Sequence, residues 1–413
     1  RYSSEMARTY EDALSNLAAL QSNIAITSLF APQAPTPASD STQGTSKKQD
    51  LNALAIPEML AWLGRAGLSQ NDLSKLRCIH VAGTKGKGSV CAYLTSILTQ
   101  SALRTTAGKV GTYTSPHLVS VRERIVLDGQ PISQELFTRY FFEVWDAMTS
   151  SGRAEYLQQN PETKADERLE AELQGPATKP FYFRFLTIMA FHVFLREGVK
   201  SAVIECGIGG EYDSTNILPS EAVTASVVTQ LGIDHVGMLG GTLPEIAWHK
   251  TGIAKPGRKC FTRKLDSQTG KEAMQVMRKR AEEKGATLVE LDDEAVERWG
   301  GVRPDNADSL EGHFQKYNQA LAKAAVEEHL RLCASDSTFE SNRESLAEMI
   351  SEGLRQARLR GRSETRVEKD IIWLIDGAHT VESLREVAKW YEGKMESQNG
   401  ASRILIFNQQ ERD

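Results

Sequence analysis

The chain has 413 residues, 40% hydrophobic and 25% charged, with a formal charge of -5 and a sequence pI near 6.0. That length exceeds one compact core and suits two unequal domains, while the acidic balance supplies no positive field for nucleic acid. The five scattered cysteines (Cys78, Cys91, Cys206, Cys260, Cys333) make no CxxC pair, so they indicate neither a disulfide framework nor a zinc knuckle, and a reducing compartment is expected.

The chain opens on Arg1 rather than Met, so a removed upstream segment or a fragment boundary is expected, and the Arg- and Ser-containing start is compatible with an organellar leader. Ala7 to Leu20 has helical spacing. Residues 31–50, rich in Pro, Ser, Thr and Ala, read as a flexible surface insertion. Arg77 to Ala82 is a strand candidate followed by a Gly-rich turn, after which Val90, Leu94, Ile97 and Leu98 recur at helical spacing. A second flexible insertion is read at 158–180, where the charged run Lys164 to Glu172 suits a solvated helix or disordered loop. The longest apolar stretch, Phe181 to Leu195, is broken by Arg184 and His192 and falls short of the ~20 residues of a membrane crossing. A buried helix is expected there, and no integral membrane association. Ser201 to Cys206 and Thr224 to Thr229 are further strand candidates. The alternation predicts a largely parallel sheet covered on both faces, and the Gly-rich turn after its first strand makes this a P-loop ATPase-like α/β domain.

Leu359 to Glu364 reads as a hinge. Beyond it Ile371 to Ile375 suggests a buried strand, Val381 to Tyr391 a helix and Arg403 to Phe407 another strand. The domains are accordingly drawn at 1–360 and 361–413, the second a smaller Rossmann-like α/β unit that looks incomplete for its kind.

The strongest motif is His80-Val81-Ala82-Gly83-Thr84-Lys85-Gly86-Lys87-Gly88-Ser89. Strand, Gly-rich turn and amphipathic helix follow in the order a phosphate loop requires. Glycines let backbone N–H groups approach a polyphosphate without Cβ clashes, and a helix beginning near Ser89 adds its positive dipole end. Lys87 can reach the terminal phosphates, and Ser89 can offer a hydroxyl to Mg2+. Gly88, standing between Lys87 and Ser89, departs from the common kinase and GTPase loops. Glu205 ends an apolar run and precedes a Gly-rich turn, at the strand edge where α/β proteins bind ligands. Gln315 and Asn318, three apart, share one helix face.

Gly-Thr-x-Gly-Lys-Gly-Ser resembles the nucleotide loop of the Mur ligase superfamily and, within it, the folylpolyglutamate synthases. The likeness continues through Tyr113-Thr114-Ser115-Pro116-His117-Leu118, Arg122-Glu123-Arg124-Ile125, Asp128-Gly129-Gln130-Pro131-Ile132-Ser133 and Ile204-Glu205-Cys206-Gly207-Ile208-Gly209-Gly210. It extends to Leu231-Gly232-Ile233-Asp234-His235, Ile246-Ala247-Trp248-His249-Lys250-Thr251-Gly252-Ile253 and Asp376-Gly377-Ala378-His379-Thr380. Lys85 in the loop is similar to the eukaryotic branch.

The resemblance implies ATP and Mg2+ as cofactors, with K+ a further candidate. It implies Gly83, Thr84, Lys85, Gly86, Lys87, Gly88 and Ser89 on the phosphates, Gln315, Asn318, Arg362 and Asp376 elsewhere on ATP, and His379 close to the chemistry beside Lys87 and Lys250. It places Ser89, Ser115, Glu205, His235 and a carbamylated Lys250 on metal, although imidazole is an unusual partner for so hard an ion. The implied substrates are tetrahydrofolate with its polyglutamates and L-glutamate, joined through an acyl phosphate. A monomer acting in the cytoplasm, with the mitochondrion as a second compartment, is expected. Dihydrofolate synthase, a bifunctional enzyme, a cell-wall Mur ligase and a silent ATP-binding protein are the rivals.

Overall fold

Alternation with a period of two settles which way each central strand faces. In β1 (Arg77–Ala82), Cys78 points into one apolar core and Ile79 and Val81 into another. In β5 (Ser201–Glu205), Ala202 and Ile204 share the first core and Val203 enters the second. The computed structural model describes residues 8–20, 51–162, 166–305, 309–334, 343–396 and 402–408. The 31–50 segment lies outside them.

The remaining strands are β2 (Val110–Tyr113), β3 (Ile125–Leu127), β4 (Gln130–Pro131), β6 (Val223–Val228), β7 (Lys259–Arg263) and β8 (Thr287–Leu291). They form one eight-stranded sheet in the order β4-β3-β2-β5-β1-β6-β7-β8. Pairing is parallel from β2 to β8, with Arg77 opposite Ser201 and Ala82 opposite Val228, and antiparallel at the β2-β3-β4 edge.

The helices used below are α1 (Tyr10–Ala18), α2 (Leu51–Arg65), α3 (Lys87–Leu98), α4 (Gln134–Gln159), α5 (Tyr182–Arg196), α6 (Leu243–Thr251), α7 (Gln268–Glu283), α8 (Gln315–Cys333), α9 (Arg343–Gln356) and α10 (Val381–Met395). Apolar residues of α1, α2, α4 and α5 cover one face of the sheet, and those of α3, α8 and α9 the other. The Phe181–Leu195 run is the buried α5, as its composition predicts. The charged stretch inside 158–180 carries a helix, Glu167–Gln174, capped by Asp166 and anchored by buried Leu173, with residues 163–165 outside the described set.

After α9, β9 (Glu364–Glu368) and β10 (Ile371–Ile375) form an antiparallel two-stranded sheet. Two expectations change here. Strand β10 is present but exposed, because among the described residues only β9 pairs with it. Residues 402–408 form no strand, and Ile404 to Phe407 face solvent. Helix α10 docks on the larger unit through Glu311, whose carboxylate accepts from Trp390 Nε1 (2.9 Å) and Lys394 Nζ (2.7 Å).

One buried histidine makes the fold acid-sensitive. His329 on α8 is fully buried, with Nδ1 2.8 Å from Thr224 Oγ1 and Nε2 2.8 Å from Ser201 Oγ. Burial lowers its pKa from 6.5 to about 4. The unfolded chain takes up this proton near pH 6.5 and the folded one only near pH 4, so stability falls as pH drops through that window. The loss should approach roughly 3 kcal/mol at its acid end. Urea midpoints at pH 7 and pH 5 should show a shallower pH dependence in His329→Gln than in the parent; identical slopes would refute the assignment.

Candidate active site

Strand β1 delivers the chain into the turn Gly83-Thr84-Lys85-Gly86, and α3 starts at Lys87, two residues before the expected Ser89. Lys87, Gly88 and Ser89 thus form the helix's first turn, where backbone N–H groups have no intrahelical acceptor and favour an anion. Gly86 is the N-cap at φ 85°, and a Cβ there would lie 2.5 Å from Asn318 Oδ1. At Gly83 (φ 150°) a Cβ would lie 1.8 Å from Thr229 Oγ1, so no larger residue fits.

The turn is held from outside. Thr84 N and Lys85 N donate to Gln230 O (2.9 and 3.2 Å), and Thr229 Oγ1 donates to Lys85 O (2.6 Å). Thr84 Oγ1 donates to Gly232 O at 2.9 Å, and Gly232 N donates back to it at 3.1 Å. The segment leaving β6 therefore shapes the phosphate turn. Thr229 and Gln230 were not singled out in the sequence, although Thr229 ends a strand candidate at the ligand-bearing edge.

Two lysines meet at this turn. Lys87 Nζ and Lys250 Nζ, the latter from α6, donate to the same Gly83 carbonyl at 3.1 and 2.9 Å. Lys250 is only 2% exposed, and burial, followed by the Lys87 charge, lowers its pKa from 10.5 to about 7. Glu205 lies beside them at the end of β5, 3% exposed, accepting from Ser115 N at 3.0 Å. Burial raises its pKa, opposed first by the charge of Lys87 and also by those of Arg362 and Arg124. A buried carboxylate in this position fits a magnesium site, because a cation would offset its desolvation. Among the described residues no three His, Cys, Asp or Glu side chains cluster as a complete ligand set. Mg2+ does not need one, since it takes one or two carboxylates together with phosphate oxygens and water.

The other expected residues separate into those near this centre and those turned to other contacts. Gln315 and Asn318 are buried on α8, joined by Asn318 Nδ2 to Gln315 Oε1 (2.8 Å), with Asn318 against Gly86. Ser89 is buried in the first turn of α3. The Arg362 guanidinium lies so close over Gly377 that a Cβ there would be 1.8 Å from Nη1. Lys85 Nζ reaches across to Thr380 Oγ1, the N-cap of α10, at 2.6 Å. Asp376 ties the segment before β9 to the turn after β10, accepting from Ser363 N and Ala378 N at 2.7 Å each. His379 is exposed, its Nδ1 2.9 Å from Gly377 O. His235, in a left-handed conformation (φ 51°), places Nε2 3.6 Å from Asp234 and is about 40% exposed. Asp234 in turn contributes to the field at Lys250.

No family model matches the chain. It is, however, 41% identical over 410 residues to the folylpolyglutamate synthase of Neurospora crassa, spanning 98% of this chain and 69% of that one. The chain belongs to the folylpolyglutamate synthase family. A probable folylpolyglutamate synthase of Schizosaccharomyces pombe is 40% identical, across 98% of this chain and 71% of its own length. Solved members of the family share the fold. The apo form of the L. casei enzyme superposes with a TM-score of 0.63 at 22% identity, covering 94% of this chain and 81% of that one. A folylpolyglutamate synthase complex with AMPPCP and folate gives 0.62 at 22%, with the same coverages. At that identity these two carry the architecture alone. Family membership bears out the resemblance read from the sequence motifs.

Proposed function

We propose that this site adds L-glutamate to the γ-carboxylate of a reduced folate or its polyglutamates, consuming ATP through an acyl phosphate. The observation that carries the reading is the convergence of the α3 first turn, Lys87 and Lys250 beside buried Glu205, in a folylpolyglutamate synthase family chain. AMPPCP and folate are the ligands of one solved family member.

A carboxylate resists attack by an amine because its oxygen leaves poorly; phosphorylation makes that oxygen a good leaving group. The protein's task is then positioning and charge neutralisation. The α3 amides would cradle the β- and γ-phosphates, and Lys87 would stabilise the charge spread over the transferring phosphoryl. Gln315, Asn318, Arg362 and Asp376 would orient the rest of the nucleotide, with His379 at the rim. Mg2+ would supply Lewis-acid neutralisation of phosphate oxygens, held by Glu205 with Ser89, Ser115, His235 and carbamylated Lys250 as further ligands. Glutamate's neutral amine would displace phosphate from the acyl carbon. Units 1–360 and 361–413 would act as two lobes whose approach excludes water from that intermediate.

A monomer would be the working unit. Among the described residues no helix is long and apolar enough to cross a membrane. The five cysteines are free, which supports a reducing compartment, the cytoplasm first and the mitochondrion second. The direct test incubates the protein with tetrahydrofolate, labelled glutamate and Mg-ATP and looks for lengthened tails. A parallel arm offers dihydropteroate. Label entering only the dihydropteroate arm would replace this reading with dihydrofolate synthesis, and label in neither would remove the ligase reading.

A further inference from the structure

The turn that follows Glu205 is governed by a side chain outside the site described so far. Asp213 is buried, and its carboxylate collects four hydrogen bonds. Oδ2 accepts from Gly207 N and Ile208 N at 2.9 and 3.0 Å, and Oδ1 from Thr215 N and Thr215 Oγ1 at 2.9 and 2.5 Å. The first pair fixes the backbone immediately beyond Glu205 and Cys206.

The same brace reaches the other two site-bearing elements. The Thr215 hydroxyl that meets Asp213 also lies 2.8 Å from His80 Nε2, on β1 and three residues before Gly83. The loop held by Asp213 also rests on the end of α6. Glu211 N donates to His249 O at 2.7 Å, and a Cβ at Gly210 would lie 2.9 Å from Lys250 O. Asp213 thus holds the turn after β5 directly and reaches β1 through Thr215, while the loop it anchors packs on the end of α6.

We propose that Asp213 is a positioning residue that sets the placement of Glu205 relative to the phosphate turn and Lys250, and hence the site's grip on a divalent cation. The proposal rests on Glu205 being a metal ligand. Supporting groups of this kind typically govern metal affinity by 10- to 100-fold. Asparagine in place of Asp213 keeps the size but sets an NH2 donor against N–H donors on one side of the brace, so the turn after Glu205 loosens.

The test measures Mn2+ binding by electron paramagnetic resonance on the whole chain with AMPPCP present, alongside thermal melting. Asp213→Asn should weaken Mn2+ binding by about ten-fold or more. Thr215→Val, which cuts the bridge to His80 but keeps the bonds to Gly207 and Ile208, should weaken it by a smaller factor, at least about three-fold. A merely structural Asp213 would lower the melting temperature while leaving Mn2+ affinity of the folded protein within two-fold of the parent, and that result overturns the proposal. If Asp213→Asn does not fold, an unchanged affinity in Thr215→Val overturns it instead. Glu205→Gln is measured in parallel. Unchanged Mn2+ affinity there strikes the ligand reading itself, whereas a loss there with none in the Asp213 and Thr215 variants strikes only the positioning role.

Discussion

Lys87→Ala should reduce glutamate addition by about 10²- to 10³-fold, the usual cost of deleting one preorganised group that stabilises transition-state charge. The side chain also acts within the turn itself. Its ammonium shares the Gly83 carbonyl with Lys250 and is, after burial, the largest influence lowering the Lys250 pKa. Removing it should raise that pKa, leaving Lys250 more protonated at neutral pH. Single-turnover phosphoryl transfer and ATP affinity measured together would separate the two effects. A kcat within ten-fold of the parent would rule out the role assigned to Lys87.

Lys250→Ala should be comparably severe, with a loss of about 10²-fold or more, but recoverable in part. The neutral Lys250 amine can attack CO2, forming an N–C bond and releasing a proton to solvent, which turns an ammonium into a carboxylate-like oxygen donor. With a pKa near 7 the amine is half neutral at that pH, so at fixed dissolved CO2 the adduct should increase from about pH 6 to about pH 8. Enzyme equilibrated with labelled CO2 should show a carbamate resonance following this trend, absent in Lys250→Ala. Formate or acetate, supplying oxygens where the side chain ended, should restore some activity to the variant. No carbamate signal at pH 8 and no rescue by either acid would together dismiss the modification.

The parts of the site legible in the sequence are those whose meaning is local. The β1-turn-α3 unit could be read because strand, glycines and helix follow one another without interruption, and the glycine requirement reflects close backbone approaches. Glu205 was legible as a carboxylate at a strand's end. What escaped is what distant segments bring in. Thr229 and Gln230 shape the turn from β6, and Asp213 holds its neighbours through amides that no spacing rule reports. Likeness names Asp376 but says nothing of its engagement with Ser363 and Ala378, because backbone turns are decided by the local path of the chain. The error at β10 has a related origin. An apolar run signals an ability to be buried, while burial itself depends on what packs against it, and Ile371 and Ile372 remain in contact with solvent.

The central place of β1 in the sheet also bears on how the enzyme is made. Its register is shared with residue 201 on one side and residue 228 on the other, both far along the chain. Closing such loops is slow, and the pairing has nothing to pair with until those residues emerge from the ribosome. A nascent chain ending before β6 would carry every letter of the phosphate motif and still lack the Thr229 and Gln230 braces that give it shape. Nucleotide capture would then begin only once translation had passed that strand, making it a reporter of late assembly rather than of the motif's synthesis.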